Sequence, residues 1–524
     1  MLRKEANLGS VHPNDFSLDD SVGKPKEACG VFGLYSRALA GELAQRTYFG
    51  LYALQHRGQE SAGIAISDGE RTLAMREMGL VSQVFDEKRL ASLEGGHIAL
   101  GHVRYSTTGS ASWENAQPEF HGRGDVNVAV AHNGNLVNAL ALRRELEEEG
   151  FEFESTSDTA TIAACAVAEL ERGHADAVGE AVKEAMHRLE GAYSVAMIFR
   201  DKLVAFRDPH GFRPLCIGEI EGGYAVSSET CGLDIIGARF LRDVEPGEVV
   251  VINDEGLKSY HAESRRRALC VFEYVYFARP DSRFDGREVA DSRRKMGEIL
   301  AEEAPAEADV VIPVPDSGIM AAVGYSERSG IPFAEGLIKN RYVGRTFIQP
   351  TDSMRQLGLR LKLNPLPSVI EGKRIVVIDD SIVRGNTARK LVNLLFEAGA
   401  KEVHFRVSSP PVTGPCYYGI DMDNKQGLVG ANFTVEEIRE QIGAITLAYL
   451  SVEGMTRATE QPKSRLCRAC FDGDYPIPGA TAKFALENAF PSLPVRRAPG
   501  GSPAYATTGR ALQDPGRRTQ DRSF

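Results

Sequence analysis

The chain of 524 residues has no run of the ~20 apolar residues that a membrane-spanning helix needs, so no membrane partner is expected. Positive charge is not in excess: 61 Lys and Arg face 72 Asp and Glu, a net charge of −11. No global field would hold such a chain on nucleic acid, and any phosphate it binds must be bound locally. Cysteine is scarce at eight residues, too few for a secreted disulfide framework, so each thiol reads as buried, catalytic or metal-bound. Residues 1–28 lack the apolar centre of a signal peptide, since Arg3, Lys4 and Glu5 lead into sequence carrying Asp15, Asp19 and Asp20. A cytoplasmic location is expected. What is present is ordinary globular usage, 43% apolar and 25% charged, and the length argues for two or more domains.

Two blocks of different rhythm follow. From Cys29 to about residue 265, short β-rich runs such as CGVFGLY, HIALGHVRYS and AYSVAMIF alternate with amphipathic stretches at 135–149 and 158–172, which indicates an α+β layered domain. From about residue 270 to 490, apolar strands run through loops into helices, as in ADVVIPVPDSG followed by IMAAVGYSERSG. That order indicates βαβ units and a parallel sheet, with ligands at the carboxyl ends of strands. Residues 491–524 hold five Pro, four Gly and six Arg without apolar periodicity and read as a disordered tail.

The segment RIVVIDDSIVRGNT, residues 374–387, carries the most chemistry. Ile375 to Ile378 read as a buried strand, and Asp379 and Asp380 stand where it ends. The turn that follows contains Ser381, Arg384, Gly385, Asn386 and Thr387. It offers hydroxyls, a glycine for close backbone approach and N–H groups at a helix start. Alone, the acids would suit a solvated turn and Thr387 a helix cap; together they suit a phosphate whose neighbouring hydroxyls or cation face the acids. The segment resembles the phosphoribosyl pyrophosphate (PRPP) motif of type I phosphoribosyltransferases, although many relatives carry Thr where Asn386 stands. The resemblance implies that VPDSG at 314–318, with Ser317 and Gly318, meets the pyrophosphate, and that Mg²⁺ is held by Ser317, Asp379 and Asp380. It also implies that KNRYVGRTFIQP at 339–350 closes over the site with Arg341 and Arg345 on the leaving group.

The nitrogen source is read from the first block. Cys29, HRGQESAGI at 56–64, GHVRYSTTG at 101–109, HNGNL at 132–136 and SDT at 157–159 resemble, in order, the motifs of N-terminal-nucleophile glutamine amidotransferases. The resemblance implies a four-layer sandwich in which Cys29 is the first residue of the mature chain and its α-amine the general base. An α-amine titrates near ~7.7–8.0 and can accept a proton at neutrality. Residues 1–28 are then a propeptide, longer than the leader of many relatives. Asn133 and the Gly134 N–H are implied as the oxyanion hole, Arg104 as partner of the glutamine carboxylate with Thr107 nearby in the glutamine site, and Asp158 as partner of its ammonium group. Ser157 or Asp158 could equally cap the helical run that follows, and Arg57 reads as an organiser of the glutamine loop.

Together the halves resemble the glutamine PRPP amidotransferase family over residues 29–475. The implied activity opens de novo purine synthesis: glutamine is hydrolysed, ammonia passes internally to PRPP, and 5-phosphoribosylamine, glutamate and pyrophosphate form. A non-catalytic PRPP-sensing regulator is the alternative. An iron-sulfur subset of the family implies a 4Fe-4S cluster on Cys270, Cys416, Cys467 and Cys470, with zinc the rival in the same four thiols. Cys165, Cys216 and Cys231 read as core. The family further implies inhibition by AMP- or GMP-type nucleotides and a homotetramer.

Overall fold

Period-two alternation along the strands decides the layering of the first block. The computed structural model describes residues 29–105, 112–174, 177–263, 265–340, 363–422, 425–478, 505–508 and 512–513. In the strand Gly30–Ser36, Val31 and Tyr35 enter one core while Phe32 and Leu34 enter another. The strand Val126–Leu136 splits the same way. Its Ala129 and Ala131 join Val31 and Tyr35, whereas Val128 and Val130 pack under the helices Ala139–Glu148, Asp158–Glu169 and Val178–Arg188. Successive side chains point to opposite faces, so two stacked sheets with helix-covered outer faces give four layers.

Among the described residues the first sheet has nine strands and the second six, and both are antiparallel throughout. Gly30–Ser36 and Ile98–Arg104 pair near the middle of the first, which places Cys29 at a strand start beside Val103 and Arg104. The helix expected from residue 135 begins later, at Ala139. Asn135 and Leu136 stay in the sheet, paired with Ala192 and Gly191. The tail read as disordered contributes two short strands instead: Tyr505–Thr508 pairs with Arg71–Met78 and with Leu512–Gln513. An open sheet edge presents unpaired N–H and C=O groups to any extended chain, whatever that chain's composition. The rest of 491–524, and all of 1–28, lie outside the described residues.

The second block has a parallel four-stranded sheet in the order Val310–Pro313, Arg374–Asp379, Glu402–Val407, Thr446–Tyr449. Val311, Val376 and Ile378 pack to one side, and Ile312, Ile375 and Val377 to the other. With both faces buried, such strands read as continuous apolar runs rather than alternating ones. The core on the first side does not stop at the sheet. It takes in Cys270, Cys416, Cys467 and Cys470 together with Ala192 and Phe212 from the first block, so the two blocks share apolar packing.

Candidate active site

Cys29 is 4% exposed, and its Sγ donates to the Tyr105 carbonyl at 3.3 Å. Burial pushes the thiol above its ordinary pKa; the charges of Asp158 and Glu60 act in the same direction and Arg104 opposes them. A thiol so placed needs a local base to become a nucleophile. Arg104 is buried and ends the strand that pairs with the Cys29 strand.

Asn133 lies 1% exposed in the strand Val126–Leu136, and neither its amide nitrogen nor its amide oxygen has a partner. A buried amide left unpaired is costly unless a ligand completes it. Gly134 follows at φ +147°, and a Cβ there would stand 2.0 Å from the Ala192 carbonyl oxygen, so only glycine fits. The stretch is pinned from the side. The His132 N–H donates to Gln117 Oε1 at 2.7 Å, and Gln117 Nε2 donates to Thr159 Oγ1 at 2.8 Å. Burial holds His102 down to about 3, so its ring is neutral and Nε2–H donates to the His132 carbonyl at 3.0 Å.

The choice between Ser157 and Asp158 as helix cap is settled by geometry. Ser157 Oγ accepts from Ala160 N at 3.3 Å, which makes Ser157 the cap. The Asp158 carboxylate instead accepts from Leu136 N at 3.0 Å and lies 3.7 Å from His132. Burial opposes its charge, yet His132 and the Leu136 N–H keep Asp158 below the usual carboxylate range. It is therefore an anion at neutral pH, suited to an ammonium group. Thr107 lies outside the described residues.

Arg57 is held beside the Cys29 backbone. Its Nε donates to the backbone carbonyl of Cys29 at 3.0 Å, and its two terminal nitrogens donate to Glu273 at 2.9 and 2.8 Å; one of them also reaches Glu229 at 2.5 Å. Arg213 reaches the same Glu273 at 3.2 Å. All four side chains are buried, and the two cations balance the two anions, as burial of charge requires. Sequence reading missed Glu229, Glu273 and Arg213. The one available signal was Glu273, a lone acid inside the apolar run CVFEYVYF.

The phosphate loop sits where the Arg374–Asp379 strand ends. Asp379 and Asp380 are buried, and Asp380 accepts from Ser317 Oγ and Ser381 Oγ, both at 2.5 Å. The two expected loops therefore meet at one carboxylate. Gly385, at φ +78°, is the cap residue of the helix Asn386–Glu397, so Asn386 and Thr387 are its first residues and Thr387 is not the cap. N–H groups at that helix start face the loop as donors for an anion. Lys339 Nζ donates to Asp316 at 2.6 Å at the rim. Arg341 and Arg345 lie outside the described residues.

All eight cysteines are buried and none forms a disulfide. Cys270 and Cys467 are directly paired neighbours on parallel strands, Val271 N donates to the Cys467 carbonyl at 3.1 Å, and Gly414 N donates to the Cys470 carbonyl at 3.0 Å. With Cys416 two residues beyond Gly414, the four expected ligands gather in one apolar core. Among the described residues no three His, Cys, Asp or Glu side chains are close enough to hold a single metal ion. Cys165, Cys216 and Cys231 are buried, and their thiols reach the carbonyls of Ala185, Ser227 and Ala53 at 3.7, 3.3 and 3.8 Å, as core residues do.

Comparison with known proteins matches both halves. The family model of a glutamine amidotransferase domain matches residues 102–234, and that of a phosphoribosyl transferase domain matches residues 285–416. The amidophosphoribosyltransferase of Synechococcus elongatus is 55% identical over 477 residues, 89% of this chain and 96% of that protein. That of Mycobacterium tuberculosis is 50% identical, with 88% of each chain covered. The chain belongs to the amidophosphoribosyltransferase family. A solved glutamine PRPP amidotransferase from Bacillus subtilis, complexed with ADP and GMP, superposes with a TM-score of 0.80 at 46% identity, covering 87% of this chain and 99% of that one. The two-domain architecture read from the motifs is thus that of the amidophosphoribosyltransferases, and the relatives lend nothing to a non-catalytic sensor. No described helix is long and apolar enough to cross a membrane.

Proposed function

We propose that this amidophosphoribosyltransferase performs the first committed step of purine synthesis with Cys29 as nucleophile, after removal of residues 1–28 exposes its α-amine. The amine takes the thiol proton, the thiolate attacks the glutamine amide, and Asn133 Nδ2 with the Gly134 N–H receives the oxyanion. Arg104 and Asp158 hold the carboxylate and ammonium ends of glutamine, and Thr107 is assigned beside Arg104. Ammonia then travels inside the protein, because released into neutral water it would mostly protonate and lose its lone pair.

On the other side, Ser381, Arg384, Gly385, Asn386 and Thr387 hold the 5-phosphate of PRPP, and Asp379 and Asp380 its ribose hydroxyls. Ser317 and Gly318 face the pyrophosphate, with Arg341 and Arg345 closing over it. Ser317 Oγ already meets the Asp380 carboxylate; together with Asp379 they would hold magnesium, which when bound neutralises charge on the departing pyrophosphate. The four clustered thiols fit a 4Fe-4S group. Four thiols in one core offer the all-sulfur donor set such a cluster takes, and zinc is the rival for the same thiols. Bound there, the cluster ties the second block's start, middle and end together and takes no part in the reaction. Purine nucleotides are the inhibitors that the Bacillus relative's ADP and GMP complex suggests. A homotetramer in the cytoplasm completes the reading, and the exposed Phe49, Tyr52 and Ile235 are apolar surface that association would cover.

The observation that carries this reading is the buried, unpartnered Asn133 amide, in a chain whose second block brings Ser317 and Ser381 onto Asp380. Incubation of anaerobically purified protein with glutamine, PRPP and Mg²⁺ should release glutamate and pyrophosphate in equal amounts. A sensor would release neither, and a salvage transferase would release pyrophosphate only when given a free base. Mass and visible spectrum of the same sample report leader removal and iron content.

A further inference from the structure

The strand that carries Asn133 and Gly134 is met from outside its own domain by one turn. Tyr417 O accepts from Asn135 Nδ2 at 2.9 Å, and Tyr418 O accepts from Arg213 Nη2 and Nε at 2.9 and 3.1 Å. Gly419, at φ +98°, lies so close that a Cβ on it would stand 2.9 Å from the Gly134 carbonyl carbon and 3.0 Å from its oxygen. The turn is itself held by the second block through Cys416 and Ile477 and by the first through Phe212. Tyr418 N donates to Cys416 Sγ at 3.4 Å, the Tyr418 ring stacks on Phe212 at 4.2 Å, and Tyr418 OH accepts from Ile477 N at 3.1 Å.

We propose that the turn Tyr417–Gly419 is a positioning element of the glutaminase, holding the Asn133–Gly134 oxyanion pair in place from the phosphoribosyltransferase side. The inference rests on the amidophosphoribosyltransferase reading above. The physical need is specific. Oxyanion donors work only when fixed within tenths of an ångström of where charge develops, and Gly134 has no side chain to lock its own peptide. Gly419 backs the Gly134 carbonyl, the other end of the residue whose N–H is the donor, and Asn135 ties the next residue to the same turn. None of the three turn residues is assigned to touch glutamine, so their effect falls on alignment.

Two variants test this in the full-length protein, with melting temperature and iron content measured beside the kinetics. Gly419→Ala pushes a methyl into the Gly134 peptide, and Asn135→Ala removes the amide bond to Tyr417. Both should lower kcat for glutamate release, Gly419→Ala by ~10-fold or more and Asn135→Ala by ~3-fold or more, on the rule that small misplacement near a reacting centre is costly. KM for glutamine should stay within about twofold, and synthesis driven by added ammonia should stay near the parental rate, since ammonia bypasses the oxyanion hole. Parental glutaminase kcat in both variants, or an equal loss of glutamine- and ammonia-driven synthesis in both, overturns the inference. The parent assayed alongside separates the two failures: a parent without activity counts against the functional reading, and a variant that matches an active parent counts against this one.

Discussion

Cys29, Arg104, Asn133 and Asp158 are each at most 4% exposed, whereas Ser317, Arg384, Asn386 and Thr387 are half-buried and Asp316 is open to solvent. The first site hangs on paired strands of two stacked sheets. The second hangs on loops beyond the carboxyl ends of parallel strands. The difference follows from what each site must hold. An uncharged amide can be hydrolysed by dipoles fixed in advance and kept dry. A sugar carrying several phosphates must enter with its charge solvated, so its site stays open until donors gather round it. The amidotransferase centre is accordingly enclosed, and the PRPP centre sets more open loops around its buried Asp379 and Asp380.

This contrast can be broken or sharpened in four ways. Cys29→Ser should lower glutamine-driven synthesis by at least ~10³-fold while ammonia-driven synthesis persists, because only the first uses the nucleophile; comparing the two nitrogen sources in one preparation checks it. Asp380→Asn should lower synthesis by roughly 10³-fold with either source, since it removes a charge beside both serines and the expected Mg²⁺. If ammonia-driven synthesis survived Asp380→Asn, the PRPP assignment would be wrong.

Asn133→Ala should lower kcat for glutamate release by about 10²-fold, with little change in the KM for glutamine, as loss of one oxyanion donor does. A change mainly in KM would move Asn133 from the oxyanion to ground-state binding. The smallest effect concerns stability. Asp208 is fully buried, and burial lifts it to about 6 from 3.8, even though Arg207 and the N–H groups of Tyr193, His210 and Phe212 favour its charge. Because the folded pKa is the higher one, the folded state holds the proton more tightly, so stability from this group falls as pH rises from ~4 to ~6. The loss is on the order of 2–3 kcal/mol at ~1.4 kcal/mol per pH unit. Thermal unfolding of Asp208→Asn across that range should show this slope removed, and an unchanged slope would assign it elsewhere.

Legibility in the sequence divided along similar lines. The phosphate loop could be read because strand, acids, turn and helix start are contiguous within residues 374–387, and the oxyanion pair because Asn133 and Gly134 are neighbours. The tail strands were not legible, since Tyr505–Thr508 is ordered by an edge more than 400 residues away in sequence. The role of Arg57 was half legible. Its place in HRGQESAGI marked it as important, but its hold on the Cys29 carbonyl depends on Glu229 and Glu273 arriving from distant parts of the chain.

Sequence by itself supplied the candidate thiol, amide and acids, and the two rhythms that build a four-layer sandwich and a parallel sheet. Those are local properties, set by side-chain type and by periods of two residues or of a helical turn. Tertiary structure alone decided that Glu273 would be shared by Arg57 and Arg213, that four distant cysteines would enter one core, and that Gly419 would lie against Gly134. A buried charge pair or a close backbone contact depends on the packing of whole domains, and no window of neighbouring residues contains that information.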